Sequence, residues 1–106
     1  MLKELNPLLH SQLRLSIMSL LRTVEEAEFV YLKEKTQATA GNLSVQLDKL
    51  SEAGYVSVAK SFVGKKPRTV CRITSAGREA MAEFVEALKG YFVGLENQEK
   101  TNVRFR

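Results

Sequence analysis

Two groups of side chains in this chain could do chemistry, and in both cases the chemistry is recognition rather than bond making. Six cations, Lys60, Lys65, Lys66, Arg68, Arg72 and Arg78, lie between Gly54 and Arg78 without a single Asp or Glu among them. The whole chain carries only +4, so everything outside that stretch sums to −2. Positive charge concentrated in this way is suited to neutralising a polyanion, and its locality says more about partners than its total. Directly upstream, Thr39, Gly41, Asn42, Ser44 and Val45 make the start of a helical stretch small and polar. A helix end of that kind suits insertion into a groove, with backbone N–H groups facing phosphates and short polar side chains meeting base edges. The same residues have plainer uses, because Thr, Asn and Ser are good helix starters and lysines at a hairpin tip deter edge-to-edge aggregation. Other chemistry finds little support: there are no paired carboxylates in a credible cleft, no nucleophile beside a base and no phosphate-binding glycine loop, so an enzyme is not expected. One Cys and one His cannot close a metal site by themselves, and no cofactor is expected. Cys71, between Val70 and Ile73 in a predicted strand, reads as a buried small hydrophobe.

The elements that must position these groups follow from periodicity and punctuation. The segment 39–53 is the best-defined helix: Thr39 can cap it, Leu43, Leu47 and Leu50 recur at helical spacing, and Gly54 stops it. Residues 55–74 then form a strand, a charged turn at Gly64-Lys65-Lys66-Pro67-Arg68 and a return strand. In each strand one side is apolar (Val56 and Val58, then Cys71 and Ile73) and the other wet. Upstream, Asn6 as cap and Pro7 at the first helical position predict a helix continuing over 8–22. On it Leu9, Leu13, Ile17 and Leu20 share one face, while Leu8 and Leu15 form a separate stripe that calls for a second surface to bury against. His10 on this helix has no ligand-spaced companion and reads as a surface or interface residue. The acidic 23–28 reads as a connection. Residues 29–35 suggest a short strand or turn leading into a second helix, and 36–38 a turn. Thr74-Ser75 opens a final helix whose apolar arc, including Met81, Phe84, Leu88, Tyr91 and Phe92, is wider than a surface helix needs.

At 106 residues the chain is expected to be one domain over 1–94, with a flexible tail over 95–106 in which Arg104 and Arg106 could touch nucleic acid. Hydrophobic content of 44% suits a globular protein, and the pI near 9.4 favours a polyanionic partner. No run approaches the ~20 apolar residues of a membrane span and no signal peptide is apparent, which makes a cytoplasmic protein with no membrane partner the expectation.

The order of helix, short strand or turn, helix, polar-faced helix, basic hairpin and helix resembles the small winged-helix transcriptional regulators related to the MarR and ArsR types. The match is densest at 39–44, 50–56, 60–68 and 73–78, where TAGNLS, LSEAGYV, KSFVGKKPR and ITSAGR stand. The resemblance implies an α+β, mainly α, winged helix-turn-helix fold with a two-stranded hairpin wing and a C-terminal dimerisation helix. It also implies a homodimer on double-stranded DNA at a pseudo-palindromic operator, with Leu8, Leu15, Phe84, Leu88, Tyr91 and Phe92 at the dimer interface. Base readout would fall on Thr39, Asn42, Ser44, Val45 and Gln46, and contact with the backbone or minor groove on Lys49, Lys60, Lys65, Lys66 and Arg68, Arg68 reaching from the tip. ArsR-type metal sensors use cysteine and histidine clusters that this sequence does not have. The alternative is a winged-helix module for protein interaction, in which the apolar arc of the last helix recruits a partner and the hairpin is a solvated edge.

Overall fold

The computed structural model describes residues 2–93, and the expected tail over 95–106 lies outside them. Among the described residues the order is α1 (Gln12–Arg22), β1 (Ala27–Glu28), α2 (Phe29–Thr36), α3 (Ala40–Glu52), β2 (Val56–Val63), β3 (Lys66–Ile73) and α4 (Ser75–Lys89), closed by a short 3₁₀ turn over Gly90–Phe92. The core sits between the helices and one face of the sheet. Leu9, Ile17, Met18 and Leu21 meet Leu32 of α2 and Leu43, Leu47 and Leu50 of α3, with Val56 and Cys71 of the sheet and Ala80, Met81 and Phe84 of α4.

The first helix starts later than its sequence suggests. Asn6 makes only one turn, its Oδ1 accepting from the Leu8 amide and its carbonyl from the Leu9 and His10 amides. Ser11 then takes an extended conformation and its hydroxyl caps α1 through the Arg14 amide. Leu9 and Ile17 are buried as projected, but so are Met18 and Leu21, which the projection of one continuous helix left off the buried face, while Leu13 and Leu20 are only half-buried. His10 is exposed.

α2, a turn and α3 form the helix-turn-helix. Gln37 ends α2 in the left-handed region at φ 60° while its amide donates to the Lys33 carbonyl. α3 has the boundaries its sequence announces: Thr39 Oγ1 accepts from the Asn42 amide at 3.1 Å, and the C-terminus closes by a Schellman motif. In that motif the Gly54 amide donates to Ser51 and the Tyr55 amide to Leu50, with Gly54 at φ 81°.

The sheet has three strands in the order β1-β3-β2, all antiparallel, rather than the two of the expected hairpin. The third is drawn from the acidic segment read as a connection: Ala27 pairs with Cys71 and Glu28 with Val70. The hairpin runs in register from Val56↔Ile73 to Val63↔Lys66, so its loop is only Gly64-Lys65. Gly64 at φ 65° supplies the positive φ that a type II′ turn requires at its first central residue.

Hairpin and α4 meet at a close backbone contact. Thr74 caps α4 by accepting from the Gly77 amide at 2.9 Å, its hydroxyl donates to the Gly54 carbonyl at 2.6 Å, and its amide donates to the Tyr55 carbonyl at 3.0 Å. Gly77 is pressed against this junction so closely that a Cβ there would lie 2.2 Å from the Tyr55 oxygen and 2.9 Å from Ile73 Cγ1. Gly77→Ala must therefore move backbone, and a loss of about 1–3 kcal/mol or more is expected from the urea midpoint. Gly41→Ala, with nothing within 4 Å, should be neutral or stabilising by up to ~1 kcal/mol in the same measurement.

Candidate nucleic-acid interface

The N-terminal half of α3 projects from the body because its leucines are committed to the core on the opposite side. Thr39, Asn42, Ser44 and Val45 are exposed, Val45 to 49%, and Lys49 is exposed on the last turn. Asn42, Val45 or Gln46, and Lys49 stand three or four residues apart and so share one face. Gln46 differs from its neighbours. It is half-buried, its Oε1 accepts from Arg14 of α1, and its Nε2 donates to Asn42 Oδ1. Both ends of its side-chain amide are thus engaged within the protein.

The six cations divide into two sets. Alternation along the strands places Arg68, Val70 and Arg72 on the face of the sheet away from the helices, opposite Ser61, Ala59 and Ser57. Glu28, paired with Val70, shares that face. Arg68 Nε donates to Glu28 at 2.7 Å, a second nitrogen lies 3.8 Å from Glu26, and Glu26 also takes Arg72. The arginine stems cover Val70, which is 9% exposed although it is outside the main core. Arg68 is therefore a mid-strand residue opposite Ser61, not a tip residue held out by Pro67, which itself pairs with Phe62 inside the ribbon. Its charge is already opposed by two carboxylates. Arg78 donates to the Arg22 carbonyl.

On these two surfaces Lys60, Lys65 and Lys66 of the wing and Lys49 of α3 have no ion-pair partner among the described residues. Lys65 lies in the turn and Lys66 beside it. Lys60 faces a shallow cleft between α3 and the hairpin, lined also by Phe29, Ser44, Leu47, Asp48, Val58 and Thr69. Phe62 and Val63, at 73% and 61% exposure, put apolar surface next to the lysines of the tip, where the apolar alternation of β2 fades beyond Ala59 and the hairpin leaves the core. Glu26 and Glu28, with their i, i+2 spacing, were the available sign of a strand face opposed to the wing's arginines.

A family model described as a winged helix DNA-binding domain matches residues 13–92. The chain belongs to that family. It is similar to an uncharacterized protein of Methanocaldococcus jannaschii, 41% identical over 76 residues that make up 72% of this chain and 83% of the other. Among solved structures it resembles a transcriptional regulator homologue from Pyrococcus horikoshii, with 33% identity, TM-score 0.76, and coverage of 83% of this chain and 87% of that one. The Bacillus subtilis PadR structure, described as a complex with operator DNA, shares the fold at 18% identity and TM-score 0.63, covering 79% of this chain and 59% of the other.

In this winged-helix chain the residues expected at a dimer interface are split. Phe84, 3% exposed, belongs to the protomer's own core, because the turn of α4 that carries Ala80 and Met81 inward carries it too. Leu8, Leu15 and Leu88 are half-buried against that core. Tyr91 and Phe92 are 42% and 44% exposed beside Leu2 and Val93, and the Tyr91 hydroxyl donates to the Lys3 carbonyl. Among the described residues no helix is long and apolar enough to cross a membrane, and no three His, Cys, Asp or Glu residues gather as metal ligands.

Cys71 is wholly buried at the centre of β3, and burial pushes its thiol up to about 11. Thiolate is the reactive form, so the folded protein should resist iodoacetamide at pH 8 and label only on unfolding. In the unfolded chain the thiol ionises first. Its contribution to stability is therefore complete below the ordinary value of 9.0 and declines as pH rises from there toward 11, which urea titrations at pH 8 and pH 10.5 would register.

Proposed function

We propose that the chain is a transcriptional regulator that binds double-stranded DNA sequence-specifically, as a homodimer on a pseudo-palindromic operator. The observation that carries this reading is the adjacency of two unlike surfaces: the exposed, uncharged, hydrogen-bonding start of α3 and the unopposed lysines at the tip of the wing. A helix-turn-helix brings the first into the major groove while a hairpin reaches the neighbouring backbone or minor groove with the second. The transcriptional-regulator relative from Pyrococcus horikoshii supports it.

In this reading Thr39, Asn42, Ser44 and Val45 face base edges, with Gln46 behind them. Lys49, Lys60, Lys65 and Lys66 meet phosphates, which give affinity and orientation but little sequence information. Arg68, opposed by Glu26 and Glu28, contributes less than its charge suggests. The exposed Tyr91 and Phe92, together with Leu2, offer the apolar surface a second copy would cover.

If each protomer neutralises three or four phosphates, log K against log[salt] should fall with a slope of roughly −5 to −7, read by fluorescence anisotropy on a selected duplex. Replacing both Lys65 and Lys66 by Ala should weaken all duplexes alike and flatten the slope by about 2 per protomer, whereas Arg68→Ala should change it by clearly less. A salt-independent association would instead favour a protein-interaction module. In a separate test, Tyr91→Glu with Phe92→Glu should shift the protein to a monomer in sedimentation. An unchanged dimer would place the interface elsewhere.

A further inference from the structure

Three side chains form a relay whose hydrogen-bond direction is dictated by its first member. Arg14 of α1 donates from Nε to the Leu8 carbonyl and from Nη1 to Gln46 Oε1 at 2.6 Å. The Leu8 carbonyl is available because the chain makes a single turn at Asn6 and begins α1 only after Ser11. A guanidinium has donors and no acceptor, so the atom of Gln46 that faces it must be oxygen. The Gln46 amide is thereby turned so that Nε2 is its other end, and Nε2 donates to Asn42 Oδ1 at 2.9 Å. Asn42 is one helical turn nearer the start of α3 and exposed, with its own amide N–H already taken by Thr39. Its carbonyl oxygen is engaged and its NH₂ is the free end. The reversed orientation would set one NH₂ against another.

An unrestrained asparagine turns either way and pairs well with adenine, whose major-groove edge offers one acceptor and one donor. We propose that Arg14, acting through Gln46, locks Asn42 as a hydrogen-bond donor, so that the base it meets is selected for an edge of acceptors alone, guanine N7 and O6 or thymine O4, over adenine, whose N7 acceptor stands beside the N6 donor. The proposal rests on the reading that α3 enters the major groove. Arg14 and Gln46 act in it as positioning residues and Asn42 as the residue that touches the base.

The decisive variant is Gln46→Glu. Glutamate keeps the partner for Arg14 but has only acceptor oxygens, so Asn42 must turn its NH₂ inward and its oxygen out. Base preference would be read by selection from a randomised duplex library, then by anisotropy on the four single-pair variants of the position concerned. That position is identified as the one where Asn42→Ala flattens discrimination. The ratio between duplexes is the measure, since an added negative charge weakens them all alike. Wild type should favour guanine or thymine there by about tenfold or more. Gln46→Glu should reverse the order toward adenine or cytosine, whose amino groups donate in the major groove. Arg14→Met, which releases both amides, should admit adenine without reversing the order; a melting curve for each variant checks folding. If Gln46→Glu and Arg14→Met leave the preference at that position unchanged, the relay is overturned while the placement of α3 stands. If Asn42→Ala alters no position, the placement itself fails and the proposal fails with it.

Discussion

The carbonyl of Tyr55 is the point on which the arrangement of the domain depends. It accepts from the Thr74 amide, and the missing side chain of Gly77 lets the first turn of α4 come against it. The amide of the same residue completes the Schellman motif of α3, and its hydroxyl accepts from Asn6 Nδ2 at 3.1 Å. One residue thus joins the end of α3, both ends of the hairpin, the start of the last helix and the N-terminal turn. Any side chain at Gly77 would meet backbone, which cannot swing aside as a side-chain tip can. The angle between α3 and the wing is consequently fixed by backbone contacts rather than by the packing of interchangeable side chains.

A second constraint is electrostatic. Arg68 and Arg72 stand on one strand face with Val70 between them, and Glu28 of β1 and Glu26 just before it oppose their charges. These pairs are partly exposed and each is worth little in stability, on the order of 0.2–1 kcal/mol. Their larger effect is on the distribution of potential. The base of the sheet becomes nearly neutral and the lysines of the tip are left as the positive end, so a polyanion is drawn to the wing's turn instead of its flank.

The sequence exposed the parts of this design that rest on local rules. Thr39, the leucine repeat and Gly54 delimit α3 because capping, periodicity and the left-handed stop all act within one element. The hairpin is equally legible from its alternation. The rest depends on contacts between distant segments. Glu26-Ala27-Glu28, whose i, i+2 carboxylates are its one local sign, becomes a strand only when β3 lies beside it, and Asn6-Pro7 is a good helix start that yields to Ser11, whose hydroxyl caps α1. Pro67 and Arg68 read as a tip because glycine, lysine and proline punctuate turns, yet register is decided by the paired strands on either side, and a two-residue turn leaves both residues inside the ribbon. The tie between Gln46 and Arg14 is hidden for the same reason: the two are 32 positions apart.

The unequal support of the two surfaces has a mechanical consequence. α3 is held along its length by three buried leucines and closed at both ends by hydrogen bonds, so its exposed side chains are presented in one fixed geometry. The hairpin is three-stranded only where β1 pairs with Val70 and Cys71; from Thr69 and Lys60 outward it is a two-stranded ribbon with no buried residue. Isolated two-stranded ribbons are marginally stable, and local opening concentrates where few apolar contacts are buried. Phosphate contact tolerates such yielding because a lysine seeks charge over a range of positions, whereas base-edge hydrogen bonds demand geometry within a few tenths of an ångström. α3 is therefore the stiff element and the outer ribbon the compliant one, a division that suits the roles proposed for them, and the Tyr55 junction lies between the two.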